Sequence, residues 1–207
     1  MQYISKYGYK YIIITLILML VSLNFDIYEC FFVFIFIACV IFFRERKNSI
    51  KSADETQILA PIDGKILEIS KAELEGKQYT KLTILKSLCG VGVVYAPFSA
   101  QQATLRQRHG LFLCSYMKIS SALNEKAIYF FQNNGLKFAM RLVAGELSRS
   151  LEVQNVPSFV KGDELGFLGS GKIVLFLPLE SKICVSVGEK IRSLSTLGYL
   201  EKVVVNE

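Results

Sequence analysis

The chain has 207 residues, a net charge of +6 and 52% hydrophobic residues, with a mean hydropathy of +0.38. That is too apolar for an ordinary soluble domain of this size. A single histidine leaves little material for Ser-His or His-metal chemistry, so no metal is expected.

The excess apolarity is concentrated at the start. Tyr11 to Leu23 and Phe31 to Phe43 are charge-free runs, and each as a helix would reach ~20 Å, short of a ~30 Å hydrocarbon core. A second apolar run follows the first and no small-residue cleavage site is visible, which argues against a signal peptide. Lys6 and Lys10 precede the pair, Arg44, Arg46 and Lys47 follow it, and only Asp26 and Glu29 lie between. This predicts a membrane-anchoring helical hairpin over residues 1–47, with both ends on the cytoplasmic side of the cell membrane. Ile and Phe run all round both segments, unlike the single stripe of a buried soluble hairpin.

Residues 48–207 have the composition of one globular domain with its own core. "QILAPIDGKILEIS", "YTKLTILKS", "GVGVVYAPF", "KAIYFFQNN", "KFAMRLVAG", "KIVLFLP" and "ICVSVGEKI" are short runs rich in β-branched and aromatic residues, bounded by Gly, Pro, Asn or Asp. The predicted fold class is mainly β: a compact β domain, α+β at most, behind the hairpin, with a turn or two of helix in "AGELSRSLEV". Net positive charge suits an anionic membrane face. The basic residues are dispersed apart from "RERK" and "RQRH", and there is no zinc spacing or RNA-binding signature, so no nucleic acid partner is expected. Cys30, Cys39, Cys89, Cys114 and Cys184 are isolated in apolar surroundings without a CxxC, and are predicted to be buried reduced thiols.

The segment "GFLGSGKIVLFLP", Gly166 to Pro178, admits two readings. Gly169-Ser170-Gly171 is either a tight hairpin turn or a strained peptide whose serine hydroxyl attacks the carbonyl before it. Asp63 in "APIDG" is likewise either an Asp-Gly turn between strands or a carboxylate of a site. Met117-Lys118 in "YMKIS" is similar to the biotin-acceptor dipeptide of carrier domains, although Tyr116 fits poorly beside it.

The ordered set "FFRERK", "LAPIDGKILEI", "VVYAPFSA", "LNEKA", "LVAGELSRSLE", "KGDELGFLGSGKIVLFLP" and "GEKIRSLSTL" resembles the short, membrane-anchored form of phosphatidylserine decarboxylase, from about Phe42 to the C-terminus. The resemblance implies a proenzyme that cleaves itself between Gly169 and Ser170, giving a β chain 1–169 and an α chain 170–207. By the same resemblance Ser170 would be both the nucleophile and the precursor of a covalent pyruvoyl cofactor, and Asp63 matches the orienting carboxylate. The pyruvoyl ketone would form a Schiff base with the amine of phosphatidylserine and release carbon dioxide to give phosphatidylethanolamine. Gly171 departs from the Arg, Ser or Thr that commonly follows the family's serine.

The catalytic positions of the family are substituted. Gly92 aligns with its histidine, and Tyr95 with an arginine that is histidine in longer members; neither takes a proton readily near pH 7. His109, expected at the surface, is the candidate substitute base, and Arg149 the candidate for a lipid phosphate. The resemblance therefore leaves two functions open: a phosphatidylserine decarboxylase of phospholipid biosynthesis, or a catalytically inactive relative acting as a membrane-anchored lipid- or partner-binding module. The expected partners are phosphatidylserine or a related anionic phospholipid and the bilayer, with a homo-oligomer left open.

Overall fold

The computed structural model describes residues 4–25, 29–45, 54–88, 90–117, 119–133, 135–148 and 151–200. Cys89, Lys118 and Arg149 lie outside the described residues.

A 3-10 turn (Lys6–Gly8) leads into α1 (Tyr9–Phe25), and α2 (Glu29–Phe42) packs back along it. The turn and the first residues of α1 lengthen the helix beyond its charge-free run. Lys6–Asn24 is thereby long and apolar enough to cross a membrane, whereas Cys30–Phe42 remains shorter. Ile13, Ile17, Leu20, Phe31, Phe34 and Ile37 are each at least half exposed, so the hairpin's apolar surface is not buried by its own protein. Its polar side chains bond back to the helix: Thr15 Oγ1 donates to the Tyr11 and Ile12 carbonyls, and Asn24 Nδ2 to that of Leu20. Such internal satisfaction is what an apolar surrounding requires.

The strands after the hairpin are β1 (Gln57–Leu59), β2 (Gly64–Leu74), β3 (Lys77–Lys86), β4 (Val93–Tyr95), β5 (Gln102–Arg108), β6 (Lys126–Asn133), β7 (Leu136–Ala144), β8 (Glu152–Val153), β9 (Glu164–Phe167), β10 (Gly171–Leu177), β11 (Lys182–Ile183), β12 (Lys190–Ile191) and β13 (Thr196–Tyr199). One helical turn, α3 (Ser120–Leu123), interrupts them. The main antiparallel sheet has the order β12-β2-β3-β10-β7-β6-β5, and two small sheets have the orders β1-β13-β11 and β4-β9-β8. The fold is mainly β, as the short apolar runs predict.

The core lies between the inner face of the main sheet and the small sheets. Ile66, Leu82, Met140, Leu142, Ile173 and Leu175 alternate inward from the main sheet and meet Ile58, Val94, Leu165 and Leu197 from the small ones, all essentially fully buried. Tyr129 brings a hydroxyl into this core and donates it to the Gln154 and Leu165 carbonyls at 2.6 and 3.0 Å, so that hydroxyl is satisfied there.

Three sequence expectations are corrected. "AGELSRSLEV" forms turns over 145–148 followed by the short strand β8, and the isolated helical turn falls instead at α3. "ICVSVGEKI" is not one strand but two, β11 and β12, which belong to different sheets. The four described cysteines are not buried: Cys30, Cys114 and Cys184 are exposed and Cys39 is half-buried, all four with free thiols. Cys30 lies on the exposed surface of the hairpin and Cys114 and Cys184 in loops, where apolar sequence neighbours do not bring enclosure.

Candidate active site

Strand register gathers one end of the main sheet into a row. Gly64 stands opposite Lys86, Leu85 opposite Lys172, Gly171 opposite Ala144 and Val143 opposite Lys126. Asp63, Ser87, Ser170, Gly145 and Glu125 are therefore the residues just past the strand ends on that row. At ~4.8 Å per strand spacing, Asp63 and Ser170 are separated by roughly 10 Å, with β3 between them.

Gly169-Ser170 does not close a hairpin. β9 pairs with β4 and β8, whereas β10 pairs with β3 and β7, so residues 168–170 carry the chain from a small sheet to the main one. Ser170 is 2% exposed and each of its polar atoms is held. The Leu147 N–H donates to Ser170 Oγ at 2.7 Å. The Ser170 N–H, which belongs to the Gly169–Ser170 peptide, donates to Ser148 Oγ at 3.0 Å. The Ser170 carbonyl accepts from Ser148 Oγ at 2.8 Å and from the Gly145 N–H at 2.9 Å.

The glycines here are required by space. A Cβ on Gly145 would stand 2.8 Å from Ser170 Oγ and closer still to Ser115 Oγ, and one on Gly169 would stand 2.8 Å from the Leu147 carbonyl. Gly171 has φ +139°, and a Cβ there would collide with the Val143 carbonyl, so the residue after the serine has no room for a side chain. On the far side of Gly145, Glu146 Oε2 accepts from both the N–H and the hydroxyl of Ser115, at 2.8 and 2.9 Å. Burial raises the Glu146 pKa, but the backbone and Ser115 hydrogen bonds outweigh it and hold the carboxyl below its usual range. Burial pushes the Lys172 ammonium down, opposed by Cys114. Asn124 is buried and donates to the Leu113 and Ala144 carbonyls, tying the 111–113 loop to the end of β7.

Asp63 is 7% exposed. Its carboxylate accepts from the Val91 N–H at 3.1 Å and the Ser193 N–H at 2.7 Å, so it fixes the segment that enters β4. In that segment a Cβ on Gly92 would lie 2.5 Å from two ring atoms of Phe167, which fills the space a larger residue would need. Tyr95 is buried in the same cluster, with Val91, Val93 and Phe167. Phe167 is also where the hairpin meets the domain. Its ring lies 5.2 Å from Phe43, 6.1 Å from Phe42 and 5.7 Å from Tyr7, and Phe43 stacks in turn on Tyr11 at 5.3 Å. The Ser5 N–H donates to the Phe43 carbonyl, closing the two arms of the hairpin base on each other, and Lys6 pairs with Glu164 of β9 at 3.8 Å.

A cavity of about 160 Å³ opens at this junction, lined by Tyr11, Phe43, Phe167, Leu147, Ser148 and Gly169 among others. It joins the aromatic hairpin base to the Gly169–Ser170 peptide. A larger cavity of about 240 Å³, lined by Leu74, Tyr79, Arg106 and Phe130, lies at the opposite end of the strands from Ser170.

His109 follows the edge strand β5. It is 90% exposed in its side chain, 3.6 Å from Glu125, and about three strand spacings from Gly171 along the row. The structure thus brings Ser170 and Gly169 together with Ser148, Leu147 and Gly145, holds Asp63 two strands away, and leaves His109 at the edge. Ser148, Ser115, Glu146 and Phe167 do not stand out in the sequence. Only the fold-back of the 145–148 turn onto Ser170 reveals the first three.

The family model described as phosphatidylserine decarboxylase matches residues 35–199. Among similar proteins is a "phosphatidylserine decarboxylase proenzyme" of Porphyromonas gingivalis, 27% identical over 168 residues, covering 76% of this chain and 75% of the relative. Proteins of the same description from Pelodictyon phaeoclathratiforme and Cytophaga hutchinsonii are each 29% identical, over 75% of this chain and 76% and 73% of their own lengths.

Proposed function

The chain belongs to the phosphatidylserine decarboxylase family, and from that premise we propose that it is a membrane-anchored proenzyme that cuts itself between Gly169 and Ser170 and decarboxylates phosphatidylserine or a closely related anionic phospholipid. The observation that carries this reading is the enclosure of Ser170, a buried serine whose hydroxyl, amide and carbonyl are each fixed by a named partner.

In the first step Ser170 Oγ attacks the Gly169 carbonyl carbon, and the acyl group moves from nitrogen to oxygen. The Leu147 N–H at Oγ stabilises negative charge on that oxygen as its proton leaves. Small residues at 145, 169 and 171 keep the approach clear. A pyruvoyl group at position 170 supplies a ketone for the substrate amine and an electron sink as carbon dioxide departs. The surroundings fit such a group: the residue-170 carbonyl beside it receives the Gly145 N–H and the Ser148 hydroxyl, two donors that stabilise charge on that oxygen.

Gly92 stands at the family's histidine position in this reading and Tyr95 at the adjacent basic one, and the Phe167 ring occupying the space beside Gly92 supports the substitution as a packed arrangement. Asp63 acts as a positioning carboxylate through the Val91 and Ser193 amides. His109, exposed at the edge strand, is assigned no step. Residues 1–47 anchor the catalytic domain, 48–207, at the cytoplasmic face, and the cavity at the hairpin base offers a lipid a route from the bilayer side as far as Gly169 and Ser148, which line it beside the bond to be cut. The absent histidine favours the second reading, an inactive anchored binding module.

Incubation of the purified full-length protein with phosphatidylserine vesicles distinguishes the two. The proposal expects phosphatidylethanolamine from wild type and none from Ser170→Ala. A fully cut chain that makes no phosphatidylethanolamine would leave the binding module as the function.

A further inference from the structure

We infer that Ser148 is the proton donor of the self-cleavage, delivering a proton to the nitrogen of the Gly169–Ser170 peptide. The inference rests on the self-cleaving reading above and assigns within it a step that the substituted family positions do not supply.

When Ser170 Oγ bonds to the Gly169 carbonyl carbon, the peptide nitrogen must leave, and it cannot depart as an anion near neutral pH. It has to be protonated as it loses conjugation with the carbonyl. Ser148 Oγ lies 3.0 Å from that nitrogen, within proton-transfer reach. Both residues are shut away from solvent, at 4% and 2% exposure. Among the described residues, three groups hydrogen-bond to Ser170: the Leu147 N–H, the Gly145 N–H and the Ser148 hydroxyl. Two are backbone amides, which do not exchange protons on the needed scale. The hydroxyl is both donor and acceptor.

The resting geometry is also arranged for the transfer. Ser148 Oγ accepts the Ser170 N–H while its own hydrogen points at the Ser170 carbonyl, 2.8 Å away. Once the nitrogen becomes pyramidal and inverts so that its lone pair takes the direction of the former N–H, rotation about the Ser148 Cβ–Oγ bond turns that hydrogen from the carbonyl oxygen to the nitrogen. The balance closes without a co-reactant. The Ser170 O–H bond breaks, the bond from Oγ to the Gly169 carbon forms, Ser148 protonates the nitrogen, and the carbon–nitrogen bond breaks. The proton released by Ser170 restores the Ser148 hydroxyl.

The test follows release of the 170–207 fragment by intact mass in full-length wild type, Ser148→Ala and Ser148→Thr, with folding checked by thermal unfolding of each variant in a Ser170→Ala background. The expected result is a loss of about 10²- to 10⁴-fold in cleavage rate for Ser148→Ala and substantial recovery for Ser148→Thr, which keeps the hydroxyl. Hydroxylamine, which cuts esters, should not accelerate cleavage of Ser148→Ala, because that variant stalls before the ester. If Ser148→Ala does not fold, Ser148→Gly, which likewise has no side-chain proton donor, replaces it, and a cleavage rate equal to wild type would overturn the inference. Wild-type rates in Ser148→Ala, equal slowing in the Ala and Thr variants, or a hydroxylamine-sensitive ester in Ser148→Ala would each overturn it as well. A wild type that itself never cuts would instead remove the self-cleavage reading, and this inference with it.

Discussion

Gly92 is held at glycine by the ring of Phe167, and the two positions should be energetically coupled. A Cβ at 92 would stand 2.5 Å from Phe167 Cε2 and Cζ and 3.2 Å from the Leu168 carbonyl, whereas carbons in good contact sit about 3.5–4.0 Å apart. The ring must therefore retreat by about 1 Å or more. It cannot do so freely, because it is wedged against Phe43, Phe42 and Tyr7. Gly92→Ala should cost about 1–3 kcal/mol as overpacking, and Phe167→Ala about 3–5 kcal/mol as a cavity. In the double variant the removed ring leaves room for the methyl, and Gly92→Ala becomes neutral or slightly stabilising through the unfolded chain. The predicted coupling is thus about 1–3 kcal/mol in favour of the pair. Chemical denaturation of the four proteins in one detergent, all carrying Ser170→Ala so that the chain is uncut, measures it. Additive effects, or a Gly92→Ala that is harmless beside an intact Phe167, would refute the packing argument. By the same reasoning Gly92→His alone will not restore the family's base.

Gly171→Ala should lose about 1–3 kcal/mol from backbone strain alone, with more from the collision with Val143, read as a lowered denaturation midpoint. Asp63→Ala strands the buried Val91 and Ser193 amides, and at about 1–3 kcal/mol for each unmet donor the variant should unfold at clearly lower denaturant, with Asp63→Asn losing less. Glu146 has a folded pKa below its ordinary value of 4.5, so its hydrogen bonds stabilise the fold above that pH, and the contribution is lost as pH falls through the lowered value. Wild type should therefore exceed Glu146→Gln in stability at neutral pH and converge on it well below pH 4.5, as denaturation at the two pH values would report.

What was legible in the sequence follows from how each element is stabilised. The hairpin shows because uncharged runs with basic flanks have few other uses, and its apolar residues remain exposed in the structure. The central strands β3, β7 and β10 show because their β-branched and aromatic residues alternate between two buried layers. The edge strand β5, "QATLRQR", does not, since most of its residues are exposed and its ladder is set by β6 and not by its own hydrophobicity. β9 is four residues with an internal glycine, yet it carries Phe167. Gly169 and Ser170 are readable as a motif, and Gly171 as a departure from it, but the cause of that departure is a backbone angle and a neighbouring carbonyl. Ser148 is invisible because its importance comes from a turn folding onto a strand 22 residues later.

The most direct test of the central claim is the intact mass of purified full-length protein beside Ser170→Ala. The account predicts that wild type yields a C-terminal piece of residues 170–207 beginning with a pyruvoyl group, while the variant stays whole. Two single chains of about 23.3 kDa would contradict it.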